Sequence, residues 1–228
     1  MAEFRTHLSV AAGGGALLAH GGWQAGLWGF AEGLPLVALV TLGGILPDID
    51  ADHSRAIRLI FNLLAVLAVV TGALLLQHRL APGQLLAACG GLYLAVRYLA
   101  GLVFARFTVH RGSWHSLLAG ALCGLVTTAL SYRLLQQSAG MAWAYGLALG
   151  LGYVIHLLLD ELYSVDLVGA RIKRSFGTAL KLCNLRQPSH ALLMLMGAAA
   201  LAPWLPPLSS LLGLVAQGGT LWISALLR

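Results

Sequence analysis

Charge is the scarcest property of this sequence. Of 228 residues only 10% are Asp, Glu, Lys or Arg, while 59% are apolar and the mean hydropathy is +0.83. An average soluble domain carries roughly 25% charged residues. A soluble chain of this size must still clothe a wetted surface, so the shortage excludes a water-soluble globule, and the apolar excess excludes a disordered chain. Cysteine is scarce too. Cys89, Cys123 and Cys183 are far apart, form no CxxC pair and are odd in number, which argues against both a disulfide framework and a thiolate metal site. No 20–50-residue repeat and no low-complexity tract is visible. The N-terminus does not read as a signal peptide, because His7 and Gly13–Gly15 interrupt its apolar stretch and Glu3 offsets Arg5. The chain reads as a single integral-membrane domain over residues 1–228, an all-α, polytopic helical bundle.

What is present is a series of apolar runs. A spanning helix needs about 20 mostly apolar residues, and the clearest candidates are Ile57–Gln77, Gln84–Ala105, Ser113–Ser131, Met141–Asp160 and Leu208–Leu227. Weaker stretches lie at Leu8–Phe30, Leu34–Pro47 and His190–Leu205. The expected total is six to eight transmembrane or re-entrant helices. With eight crossings, eleven of the 14 Lys and Arg residues fall on one side, only Arg79 and Arg133 on the other, and Arg97 inside a span. Basic loops face the cytoplasm, which accounts for the net charge of +6 without invoking nucleic acid. The basic loop 161–189 then lies in the cytoplasm. Its stretch Arg171–Arg186 reads first as a topology determinant and second as a binder of anionic headgroups.

The eight acids are not scattered. Asp48, Asp50 and Asp52 form one group and Asp160, Glu161 and Asp166 another. Ionisable groups at membrane depth are costly and point to function. His156 and Asp160 stand at i,i+4, which stacks them on one helix face and suits either metal ligation or a helix-end hydrogen bond. Pro47 should end the preceding helix, leaving Asp48 and Asp50 in irregular backbone, where they converge on a cation or are simply solvated. His110 is expected in a loop and His115 in the first turn of the next helix, with Gly112 allowing the bend and Ser113 as a possible cap. His7 opens the first apolar run at the same depth.

If the topology holds, His7, Asp48, Asp50, His110, His115, His156 and Asp160 meet at one end of the bundle. Four histidines and three aspartates suffice for two metal ions. Mixed imidazole and carboxylate ligands suit zinc, manganese or iron better than calcium or magnesium, and a two-ion site activates water and clamps the oxygens of a displacement.

The series Thr6-His7, Leu46-Pro-Asp-Ile-Asp50, His110-Arg-Gly-x-x-His115-Ser and His156-x-x-x-Asp160 resembles the LexA-regulated, membrane-bound metal-dependent hydrolase family over roughly Thr6 to Lys181. That resemblance implies a helical inner-membrane protein, grouped distantly with zinc-dependent phospholipase C enzymes. It puts metal ligands at the same seven residues. Trp114 departs from the family pattern, which commonly has threonine before the second histidine.

Two classes of function follow. The first is a metal-dependent hydrolase at the cytoplasmic face, cleaving a phosphoester of a phospholipid or lipid-linked phosphate. Asp50 or Asp52 would orient the water, and Arg111 or Arg58 would bind the non-reacting oxygens. The second is non-hydrolytic, either a divalent-metal or proton transporter or a membrane protein whose metal is structural. Transport is disfavoured because the polar residues gather at one face and no inverted repeat is visible.

Overall fold

Long apolar runs broken by glycine, proline and serine become helices with short connections. The computed structural model describes residues 3–50, 55–102, 114–166, 171–172, 180–184 and 188–226. The helices are α1 (Phe4–Gln24), α2 (Phe30–Gly43), α3 (Arg55–Leu76), α4 (Pro82–Leu94), α5 (Leu117–Arg133), α6 (Ala139–Leu162), α7 (Pro188–Ala200) and α8 (Leu208–Leu226). A two-residue antiparallel pairing, Val165–Asp166 with Arg171–Ile172, interrupts the basic loop. The secondary structure of the described residues is otherwise helical.

Contacts gather the chain into two compact units, Met1–Pro47 with Ser113–Arg228, and Asp48–Gly112. In the second unit α3 packs on α4 and on the π-helical turn Ala95–Ala100 that continues it. The Tyr93 hydroxyl donates to Asn62 Oδ1 at 2.7 Å. Arg97 lies with its guanidinium 5.2 Å from the Tyr98 ring centroid, within cation–π range.

The first unit is built around α6, which packs against α1, α2, α5 and α8. Its buried residues run round the helix, from Met141 to Asp160, as expected of a helix enclosed by others. A core of Leu36, Val40, Ala144, Tyr145 and Ala148 joins α2 to α6. Glycine brings these two helices together. A Cβ at Gly43 would lie 2.1 Å from the Leu149 carbonyl oxygen, and one at Gly152 would lie 2.0 Å from the Val40 carbonyl oxygen. Backbone therefore touches backbone, the packing that small residues permit in membrane helices.

Among the described residues, two helical segments are long and apolar enough to cross a bilayer, Ile57–Leu76 and Ala139–Leu162. A third is counted if Pro188–Trp204 and Leu208–Gly219, bent by 95°, form one broken span. The expected six to eight is thus not reached by length. The 14 residues of α2 and 17 of α5 extend only about 21 and 25 Å against a hydrocarbon core of about 30 Å. The run Gln84–Ala105 is divided between α4 and the π-helical turn.

The 95° bend follows the prolines at 203, 206 and 207, which remove amide donors and end helices. Carbonyls near it are collected by side chains of the α5–α6 hairpin. Arg133 donates from Nη2 to the Pro203 oxygen at 2.7 Å and from Nε to the Trp204 oxygen at 3.3 Å, and Trp143 Nε1 donates to the Pro207 oxygen at 3.3 Å. Broken helices are tolerated at membrane depth where such donors re-satisfy the backbone.

Candidate metal centre

Two helices of the first unit deliver the cluster. His7 comes from the first turn of α1, and His156 and Asp160 from the last two turns of α6; all three are buried. Helical spacing stacks His156 over Asp160, and the packing of α1 on α6 brings His7 beside them. The rings of His7 and His156 are stacked, with centroids 3.8 Å apart and planes inclined by 13°. His7 Nε2 lies 3.3 Å from Asp160 Oδ1, and His156 Nε2 lies 3.7 Å from Asp160 Oδ2.

These separations bear on what the cluster holds. Around a tetrahedral ion with bonds of about 2.0–2.1 Å, neighbouring ligand atoms lie about 3.3 Å apart. One donor atom from each of the three residues lies within 4.8 Å of the other two, so a small adjustment accommodates an ion. The 3.7 Å separation is too long for a direct hydrogen bond.

The tautomer of His156 points the same way. Its Nδ1 is 2.8 Å from the Gly44 carbonyl oxygen, which can only accept, so Nδ1 carries the proton. Nε2 then either presents a lone pair toward the Asp160 carboxylate or bears a second proton. Two facing lone pairs call for a cation between them. A backbone carbonyl fixing the far nitrogen is the usual outer support of a metal-ligating histidine. His7 is only 1% exposed, and its Nδ1 has no hydrogen-bond partner, so Asp160 is the polar neighbour that accounts for its burial.

His115 is also buried, and its ring meets that of His156 edge-on with centroids 5.7 Å apart. It was expected in the first turn of a helix opened by Ser113. Instead, Ser116 is the N-cap of α5, its hydroxyl accepting from the Ala119 amide at 3.3 Å, and His115 immediately precedes it. The start shifts because the basic loop supplies acceptors there. The Leu117 and Leu118 amides each donate at 3.0 Å, to the Lys181 and Leu182 carbonyls, satisfying orphan donors of the first turn. The Trp114 carbonyl accepts from the Ser116 amide at 2.8 Å and from the buried Tyr153 hydroxyl.

The other expected residues fall elsewhere. Asp48 and Asp50 lie on Leu46–Asp50, which forms a 3-10 turn rather than irregular backbone; Asp48 begins the second unit. Arg58 is exposed on α3 of that unit. Asp52, His110, Arg111 and Ser113 lie outside the described residues, as do the basic residues Lys173, Arg174 and Arg186 of the proposed headgroup-binding stretch.

The model of the YdjM inner membrane protein family matches residues 1–171. The chain belongs to that family. His7, His115, His156 and Asp160 all fall within the matched stretch, and the inner-membrane character expected from composition and resemblance agrees with it. Searches of curated proteins and of solved structures returned no match.

Tyr153, Gly44 and the Lys181–Leu182 carbonyls were not anticipated from the sequence. Tyr153→Phe removes the hydroxyl's hydrogen bond to the Trp114 carbonyl, a loss of about 1 kcal/mol. The expected result is a modestly lower thermal midpoint with metal stoichiometry kept, read by scanning fluorimetry and metal analysis on the same preparation.

Proposed function

We propose that this family member is a metal-dependent hydrolase of the inner membrane that cleaves a phosphoester of a phospholipid or lipid-linked phosphate. The buried group His7, His156 and Asp160, held together by α1 and α6, carries this reading. Zinc is the ion its donors favour. By the sequence motifs alone, His115, His110, Asp48 and Asp50 are the further ligands proposed for a second ion. When bound, the ions activate water and polarise a phosphoryl oxygen.

The chain's own groups do the rest. Gly44 holds the His156 proton at Nδ1, so that Nε2 faces the centre. Asp160 sets one carboxylate oxygen toward each imidazole. A carboxylate oxygen of Asp50 or Asp52 takes a proton from the attacking water, and the guanidinium of Arg111 or Arg58 neutralises the non-reacting phosphate oxygens. The basic balance of the loops supports a cytoplasmic position for this end of the bundle. The helices α1, α2, α4 and α5, as half-buried or re-entrant segments, bring the membrane segments to six to eight.

The test uses full-length protein in nanodiscs, loaded with zinc or manganese and offered phospholipids and isoprenyl phosphates. Released phosphate or phosphorylated headgroup is expected, falling more than about 100-fold in Asp160→Asn and Asp48→Ala, the scale of losing a catalytic electrostatic contact. A metal-loaded wild type that hydrolyses no lipid and matches Asp160→Asn throughout would reject the reading. Metal flux across proteoliposomes would establish the transporter in its place.

A further inference from the structure

Between α5 and α6 runs a groove of about 490 Å³, within the usual range of a ligand site. Four glycines line it, Gly120 and Gly124 on α5 and Gly146 and Gly150 on α6, together with aliphatic side chains. It also includes three polar side chains, each with its donor committed to a backbone carbonyl. Thr128 donates to Gly124, Trp143 to Pro207 and Tyr153 to Trp114. The walls therefore offer hydrocarbon contact and no side-chain donor to a polar ligand.

Position and length then select the occupant. From Trp143 to Val154 the α6 wall spans 12 residues, about 17 Å along the axis, close to one leaflet of a hydrocarbon core about 30 Å thick. One end is bounded by Leu117, two residues beyond His115, and by Tyr153 and Val154, within one turn of His156. The groove thus leads along a helix of bilayer-spanning length to the candidate metal centre. A polyprenyl chain much longer than one leaflet does not match it.

We propose that the α5–α6 groove seats one acyl chain of a bilayer glycerophospholipid and so presents that lipid's phosphate to the His7–His156–Asp160 cluster. The inference deepens the hydrolase reading and rests on it for the role of the headgroup, but the seating of the chain can be measured without turnover.

Gly150 is the position for the test, because a Cβ there meets nothing within 4 Å, so a large side chain fills the groove without displacing backbone. Full-length protein in nanodiscs is irradiated with phosphatidylglycerol carrying a diazirine in its acyl chain, and the labelled peptides are mapped. Wild type should label on Leu117–Thr128 and Trp143–Val154. Gly150→Phe should lower that labelling roughly tenfold, the factor given by losing about 1.4 kcal/mol of contact, while Gly13→Phe, on an exposed face of α1, leaves it unchanged. Leu147→Trp narrows the same groove and should act in the same direction. Labelling spread evenly over lipid-facing helices would overturn the proposal, as would equal labelling in Gly150→Phe. So would labelling by a diazirine isoprenyl phosphate alone, or a dimer that Gly150→Phe dissociates. Groove labelling without hydrolysis would retain this inference and reject the hydrolase. Hydrolysis without groove labelling would do the reverse.

Discussion

Asp160→Asn is expected to weaken zinc binding by more than about 100-fold. Changes that only disturb the outer support of a metal ligand cost about 10–100-fold, and this one removes the carboxylate charge shared by two imidazoles at 3.3 and 3.7 Å. Asparagine keeps the size of the side chain and one acceptor oxygen, so α6 should still pack and the protein should still elute as the wild type does. Metal content measured after dialysis against a graded chelator gives the affinity. His156→Ala should fall at least as far, because it deletes a ligand and abandons the Gly44 carbonyl, whose bond to Nδ1 is 2.8 Å. Full stoichiometric retention of zinc in both variants would show that any bound ion lies away from this cluster.

The second large effect concerns glycines two residues apart on one helix. Gly152→Ala should be severely destabilising and Gly150→Ala neutral or stabilising. A methyl at residue 152 would sit 2.0 Å from the Val40 oxygen and 2.9 Å from the Gly44 amide nitrogen, whereas one at residue 150 meets nothing within 4 Å. The obstacle at 152 is backbone, which cannot rotate aside, so α2 and α6 must separate along the core they share. Overpacking costs about 1–3 kcal/mol and occasionally more; here the upper end is expected, with metal lost as well because the displaced helix carries the Gly44 carbonyl. At 150 the helix gains alanine's propensity, up to about 1 kcal/mol. Thermal midpoints of the two variants in one detergent decide it. Equal midpoints would mean that α2 and α6 are not in backbone contact.

The pairing of His156 with Asp160 was readable because helical periodicity alone puts i and i+4 on one face. The nearness of His7 followed from its depth at the start of the first apolar run. The position of His115 was misjudged by a cap: Ser113 and Ser116 are equally good capping residues, and the choice fell to carbonyls of Lys181 and Leu182, more than sixty residues away and without a local signature. The Gly44 carbonyl carries no side chain to read, although the Gly43–Gly44 doublet marks where chains could approach. Among the described residues, helix length accounts for only two or three of the expected six to eight crossings, for a related reason. Apolar runs report burial, and in α2 and α5 much of that burial is against other helices across glycine contacts, so helices shorter than a bilayer still look membrane-like.

The Arg133 and Trp143 donors that gather the carbonyls at 203, 204 and 207 also impose an order of assembly. Both belong to the α5–α6 hairpin, which emerges during synthesis before the bent pair α7–α8, and chains tend to fold from the N-terminus as they are made. The hairpin can form its own contacts first, whereas the bend exposes backbone acceptors until that hairpin is ready to receive it. The last two helices are therefore clients of a template already in the membrane, and a hairpin that arrives malformed leaves them with no stable place to dock.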